Sequence, residues 1–242
     1  DLNKERCRVF AAPREHPRRR DARRSRRLSV WLWTRPIVSS PERGLDHARS
    51  NSIRTRSGGG APALPVPAEY AGQQGAMTAA TTLPALKQFV ERGGTVIAIG
   101  GSATNFGRFL SVPMEDHLAE NGAHLPDTKF YTPGSVLRAK VDTANPRAFG
   151  LREHTDFFFD NSPVWTLGPD AAAKGVKPIA WFDSKTPLRS GWSWGQAYLD
   201  GGVIGIEATV GQGRVLLYGA EILQRAQPHG TFPLLFNGIW IR

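Results

Sequence analysis

The segment TTLPALKQFVERGGTVIAIG (residues 81–100) narrows the possible fold more than any other part of the chain. Leu83, Leu86, Phe89 and Val90 recur at helical spacing behind a threonine suited to capping and a proline suited to a first turn, and a Gly-Gly pair stops the pattern. Thr95–Ile99 follows at once. It is mostly β-branched and apolar on both parities, the mark of a strand covered on both faces as in a parallel sheet. A helix turning tightly into a doubly covered strand is half of an α/β unit, so the expected fold is a layered α/β domain.

The remaining elements fit that frame. SVLRAKVD (residues 135–142) sets Leu137, Ala139 and Val141 on one face and Val136, Arg138 and Lys140 on the other, a half-buried strand. DFFFDNSP (156–163) and KPIAWFDS (177–184) are short apolar runs closed by turn residues. GVIGIEATVGQGRVLLYGAE (202–221) predicts two strands around a Gly-Gln-Gly turn, and TFPLLFNGIWI (231–241) an amphipathic helix with threonine at its start.

Charge separates the first part of the chain from the rest. Residues 1–60 hold 16 Lys and Arg against 6 Asp and Glu, so the whole formal charge of +10 sits there, and residues 61–242 are neutral. Fifteen of those 16 bases are arginine, and the segment has no apolar period, so it is expected to be disordered. Its one apolar run, Leu28 to Trp33, is shorter than the roughly 7–15 residues of an export signal. Residues 61–80 read as a Pro/Gly linker and 81–242 as the α/β domain. No stretch approaches the roughly 20 apolar residues of a membrane span. Cys7 is the only cysteine, which excludes an intrachain disulfide and a cysteine-based zinc site. The arginines would neutralise phosphates, but no nucleic-acid-reading motif accompanies them, so no specific nucleic-acid partner is expected.

Six segments in order, ERGGTVIAIGGSAT, FYTPGSVLRAKVD, FFFDNSPVW, LRSGWSWGQAYLDGG, GQGRVLLYGAEI and RAQPHGTFPLLFNGIW, resemble the C-terminal region of bacterial zinc carboxypeptidases related to carboxypeptidase A. The resemblance runs from about Val66 to the end. It implies a flavodoxin-like, class I glutamine amidotransferase-like domain appended to a metallopeptidase, with that peptidase domain or another protein as partner and a secreted or periplasmic location. It places the zinc ligands upstream, so no cofactor is expected in this chain. The arginine-rich segment matches nothing in the family and has the composition of a GC-rich gene read in a shifted frame. The chain is therefore expected to be a fragment, and its domain an incomplete one lacking its first strands.

Candidate site residues are few. His117 and Glu120 have H-x-x-E spacing, but they lie in a polar stretch and are read as coincidental. Ser102 stands after the strand where a nucleophile elbow could form, yet GGSAT lacks the G-x-S-x-G spacing; capping of the next turn is the preferred reading, with anion binding by the turn's N–H groups as the functional one. His229 precedes the last helix, as a loop entry or a ligand contact. Arg189, Trp192, Trp194 and Tyr198 form the most suggestive group, because alternate spacing puts both indoles on one side of an extended chain. Packing or an interface is the preferred reading there, and a carbohydrate- or peptide-binding face the second.

Overall fold

The computed structural model describes residues 29–33 and 79–241. A ten-stranded mixed sheet organises them. Next to one edge, β2 (Thr95–Ile99) runs parallel to β12 (Gly213–Tyr218) on one side and to the edge strand β1 (Ser29–Trp33) on the other. Beyond β12 the sheet continues through β11 (Val203–Val210), β9 (Val176–Trp181) and β6 (Ser135–Val141) to β10 (Leu188–Ser190). Every one of these later pairings is antiparallel. The expected parallel sheet is thus confined to three strands. The reason lies in the connections: β11 and β12 form a tight hairpin, β6 and β7 (His154–Phe159) a hairpin with a longer loop, and a hairpin joins antiparallel neighbours.

β1 lies inside the arginine-rich segment. Ser29–Trp33 pairs with β2 along its full length, from Ser29 opposite Thr95 to Trp33 opposite Ile99. An unpaired edge on β2 would expose a row of backbone donors and acceptors, and SVWLW, rich in residues that favour strands, covers it. The rest of the arginine-rich segment, and the linker up to residue 78, lie outside the described residues.

Helices flank the sheet on both faces. α1 (Thr82–Glu91) and α2 (Gly101–Phe109) share a core with Val96, Ala98, Val215 and Leu217, while α3 (Phe232–Trp240) joins Ile97, Ile99, Leu216 and Tyr218 on the opposite face. The alternation of β2 therefore feeds two cores, as its double-parity apolar run predicts. α1 ends in a Schellman motif: Gly93 has φ +100°, its N–H bonds the Val90 carbonyl at 2.8 Å, and the Gly94 N–H bonds the Phe89 carbonyl at 2.9 Å. In β11 the register shifts on either side of Gly205, so Ile204 faces the α3 core and Ile206 the α1–α2 core. A bulge is the only way two residues of the same parity can face opposite sides. α2 itself was not visible in the sequence, because its nine residues carry two glycines, Ser, Thr and Asn.

A buried arginine ties the layers together. Arg147, in the helical turn Pro146–Ala148 that follows β6, is 1% exposed. Its Nε donates to Glu207 of β11 at 3.2 Å, and one terminal nitrogen donates to the carbonyls of Asn237, at 3.1 Å, and Ile241 at the end of α3. Arg214 of β12 donates to the same Glu207 oxygen at 3.3 Å, and Asn145 to the other at 3.3 Å. The guanidinium is compensated both by a carboxylate and by the negative end of a helix. Removing it leaves Glu207 and the α3 carbonyls short of donors. Arg147→Ala is expected to cost about 3 kcal/mol in urea unfolding, whereas Lys140→Ala, which breaks an exposed 3.2 Å pair with Glu153, should cost less than about 1 kcal/mol.

Candidate functional site

The two tryptophans of the SGWSWG stretch stand outside the core, 53% and 54% exposed, on one side of an extended segment as their alternate spacing predicts. With Tyr131, Thr128 and Asp127 they line a cleft of about 410 Å³. The packing expected for this pair is thus not packing inside the domain. Of the other tryptophans in the layered core, Trp165 is buried and donates its indole N–H to Thr104 at 3.1 Å.

The cleft is held by a closed set of hydrogen bonds. Tyr131 and Trp194 exchange backbone bonds of 3.1 and 2.9 Å, and the Trp194 indole N–H donates to the Thr128 carbonyl at 2.8 Å. Ser135 brackets Trp192, accepting its N–H at 2.9 Å and donating to its carbonyl at 2.7 Å. Ser193, pointing the other way, shares a 2.6 Å bond with the hydroxyl of fully buried Thr132. The Tyr131 and Trp192 rings lie 6.0 Å apart at 58°. Gly195 closes the segment at φ +71°, where a Cβ would run into the Lys129 carbonyl oxygen. The aromatic surface is therefore preorganised: the polar atoms of its frame are spent on one another, and the ring faces are left to solvent.

Charged pairs brace the floor of this loop cluster. Lys129 pairs with Glu120, which also accepts a hydrogen bond from Tyr198. Asp116, at the end of β3 (Met114–Asp116), pairs at 2.6 Å with His124 on the short ribbon of β4 (Ala119–Glu120) and β5 (Ala123–His124). Burial pulls the Asp116 carboxyl upward, but the His124 hydrogen bond and charge, with the Leu118 N–H at 3.0 Å, hold it below the usual carboxylate range. His124 is raised above the usual histidine range by its bond to Asp116, against the opposing effect of burial and with help from the charges of Asp116 and Asp127.

The other sequence candidates lie elsewhere. Arg189 on β10 turns to Asp156 of β7 at 3.8 Å, not to the cleft. Ser102 lies within the first turn of α2, 2% exposed, while Gly100, at φ +64°, takes the N-cap position. The expected cap role of Ser102 is thereby corrected, and its hydroxyl is not offered to solvent as an elbow nucleophile would be. His117 has both ring nitrogens engaged, with the Thr166 hydroxyl at 2.7 Å and the Asp200 carbonyl at 3.1 Å. No group of three His, Cys, Asp or Glu side chains among the described residues is placed to hold a metal ion, and no helix among them is long and apolar enough to cross a membrane. His229 borders a second, larger cavity. Sequence reasoning missed Asp127, Thr128 and Tyr131, which lie some 60 residues from the tryptophans and meet them through the Tyr131–Trp194 bridge, the Trp194–Thr128 bond and the Tyr131–Trp192 ring contact.

No family model and no curated protein matches the chain. Solved structures similar to it include a β-galactosidase from Bacillus circulans sp. alkalophilus, at 15% identity and TM-score 0.40 over 65% of this chain and 20% of that one. A ThuA-like protein from Bacteroides uniformis matches at 16% identity and TM-score 0.38 over 68% of this chain and 63% of that one. A cytoplasmic protein from Salmonella typhimurium matches at 12% identity and TM-score 0.38, over 65% and 58%. The chain spans less than two thirds of the length of each. The zinc carboxypeptidase relation gains no support from these matches.

Two outcomes follow from the cleft's construction. Gly195→Ala should leave the domain folded but break the Tyr131–Trp194 bridge, read as a red shift and increased quenching of indole emission; an unchanged spectrum would contradict the assigned frame. His124 should titrate above the free-histidine value of about 6.5, and Asp116→Asn should lower its titration point, as followed by histidine NMR. The sign is fixed by linkage: His124 contributes stability that is complete below its unfolded pKa and lost as pH rises through the raised one, and the Asp116 contribution is lost as pH falls through its lowered one.

Proposed function

We propose that this chain is a non-catalytic accessory domain that binds carbohydrate through the cleft of Tyr131, Trp192 and Trp194. One observation carries the reading: two half-exposed indoles face the same way, locked by hydrogen bonds that do not use their ring faces. Rigid aromatic surface gives contact area at little entropic cost, and the apolar C–H face of a sugar ring fits it. Asp127 and Thr128 add acceptors for hydroxyl groups, and the lining holds no cation, which suits a neutral, hydroxyl-rich ligand.

The six-segment sequence resemblance supports the wider setting, an accessory domain of a zinc carboxypeptidase-like protein whose peptidase domain supplies the zinc and is the domain's partner, in a secreted or periplasmic location. A flavodoxin-like, glutamine amidotransferase-like identity for the layers is supported by the parallel β1–β2–β12 core with α1 and α2 on one face and α3 on the other.

Titration of the chain with a panel of neutral oligosaccharides should shift indole emission saturably for at least one member. The Trp192→Ala/Trp194→Ala double variant should bind at least about tenfold more weakly, a change of roughly 1.4 kcal/mol. Because both side chains lie outside the core, the variant should melt with the wild type. Silence across the panel, or equal binding by the double variant, would sink the carbohydrate reading. The non-catalytic reading fails separately if the chain with added zinc releases C-terminal residues from peptides in a chelator-sensitive way that His117→Ala abolishes.

A further inference from the structure

The second cavity lies on the outer face of the β6–β7 hairpin, where the strand alternation that buries Leu137 and Phe157 sends Val136, Arg138, Asp156 and Phe158 the other way. The turn around Gly150 to Arg152 and the loop from Gln227 to Gly230, which enters α3, close over this face and leave about 770 Å³. That volume falls within the roughly 300–1,000 Å³ of small-molecule sites. The floor is apolar: Val136 and Phe158 are half-buried, and Leu151 packs against the main core.

The wall is cationic. Arg138 binds Asp156, the one carboxylate of the lining, through Nε at 2.9 Å, and Arg189, which does not line the cavity, approaches the same oxygen at 3.8 Å. Arg152, exposed on the rim, has no carboxylate partner among the described residues. His154 is held by Asp183 at 2.9 Å. His229 is fixed by donating Nε2–H to the Ala226 carbonyl at 3.0 Å and by packing 5.1 Å from the Phe232 ring, which leaves Nδ1 as its remaining polar atom. An excess of guanidinium charge above an apolar floor is complementary to an anion borne on an apolar body.

We infer that this cavity binds an oxyanion group, carboxylate or phosphate, carried on an apolar or aromatic body, with Arg138 and Arg152 as its polar contacts and Val136, Leu151 and Phe158 beneath it. The site is separate from the Trp192–Trp194 cleft and does not depend on the carbohydrate reading.

The test uses the full chain with benzoate, phenyl phosphate, neutral benzamide and inorganic phosphate as probes, followed by calorimetry and by amide NMR shifts. The 15 arginines of residues 1–60 supply a non-specific anion affinity that is the same in every variant and that inorganic phosphate reports on its own. Benzoate or phenyl phosphate should bind saturably and more tightly than both benzamide and inorganic phosphate, moving the Gly150 and Gly230 amides; the tighter of the two identifies the oxyanion. Arg152→Gln should weaken that probe at least about fivefold. Arg138→Gln serves as a second reporter should Arg152→Gln perturb folding, and should weaken it at least about threefold. The Trp192→Ala/Trp194→Ala variant should bind it unchanged. Equal binding of benzamide, undiminished binding by both single variants, or loss in the tryptophan double variant would overturn the assignment.

Discussion

The Arg147 guanidinium is the interaction on which the arrangement of layers depends. It sits on no regular element of the sheet, yet it reaches β11 through Glu207 and the end of α3 through two carbonyls, and Asn237 of α3 returns bonds of 3.1 and 2.8 Å to the carbonyls of Arg147 and Phe149. A buried cation with one carboxylate partner would be poorly compensated; here the helix terminus supplies the balance. The same bonds fix where α3 lies. Gly238 permits the helix to sit against the sheet, since a Cβ there would meet Ile97 and Leu216 side chains at 2.7 Å each. Tyr218 adds a bond to the Leu234 carbonyl at 3.4 Å, and burial, with the nearby Glu207 charge, pushes its phenol far above the usual range, so it serves only as a neutral donor.

Fixing α3 also fixes the loop that enters it. Thr231 stands at the helix start without capping it; its hydroxyl instead bonds the Ile222 carbonyl at 2.7 Å and the Pro228 carbonyl at 2.9 Å. That pins the segment carrying His229 over the β6–β7 hairpin. The aromatic cleft is built on the same principle from the other end of the hairpin, where Ser135, the first residue of β6, holds Trp192. Both cavities thus occupy loops borne by one rigid pair of strands, an arrangement in which loops carry chemistry and the sheet supplies precision.

Local pattern made much of the frame legible. β2, β6, β7, β9, the β11–β12 hairpin, α1 and α3 all carry a period or a turn that a single segment can display. α2 and the two- and three-residue strands did not, because elements so short or so rich in glycine and small polar residues draw their stability from neighbours rather than from their own propensity. The strand at Ser29–Trp33 was hidden for a related reason: within an arginine-rich stretch a five-residue strand has no backbone partner until β2 presents an edge.

By itself the sequence determined that β2 would be covered on both faces, that Trp192 and Trp194 would share a side, and that charge would concentrate in the first 60 residues, because strand alternation and composition are local properties. Only the tertiary structure decided that the indoles face solvent rather than the core, that Tyr131 and Asp127 join them, that Arg189 leaves them for Asp156, and that Arg147 is buried. Those outcomes depend on contacts between residues some 30 to 90 positions apart, and nothing in a short window records which distant group will arrive to meet it.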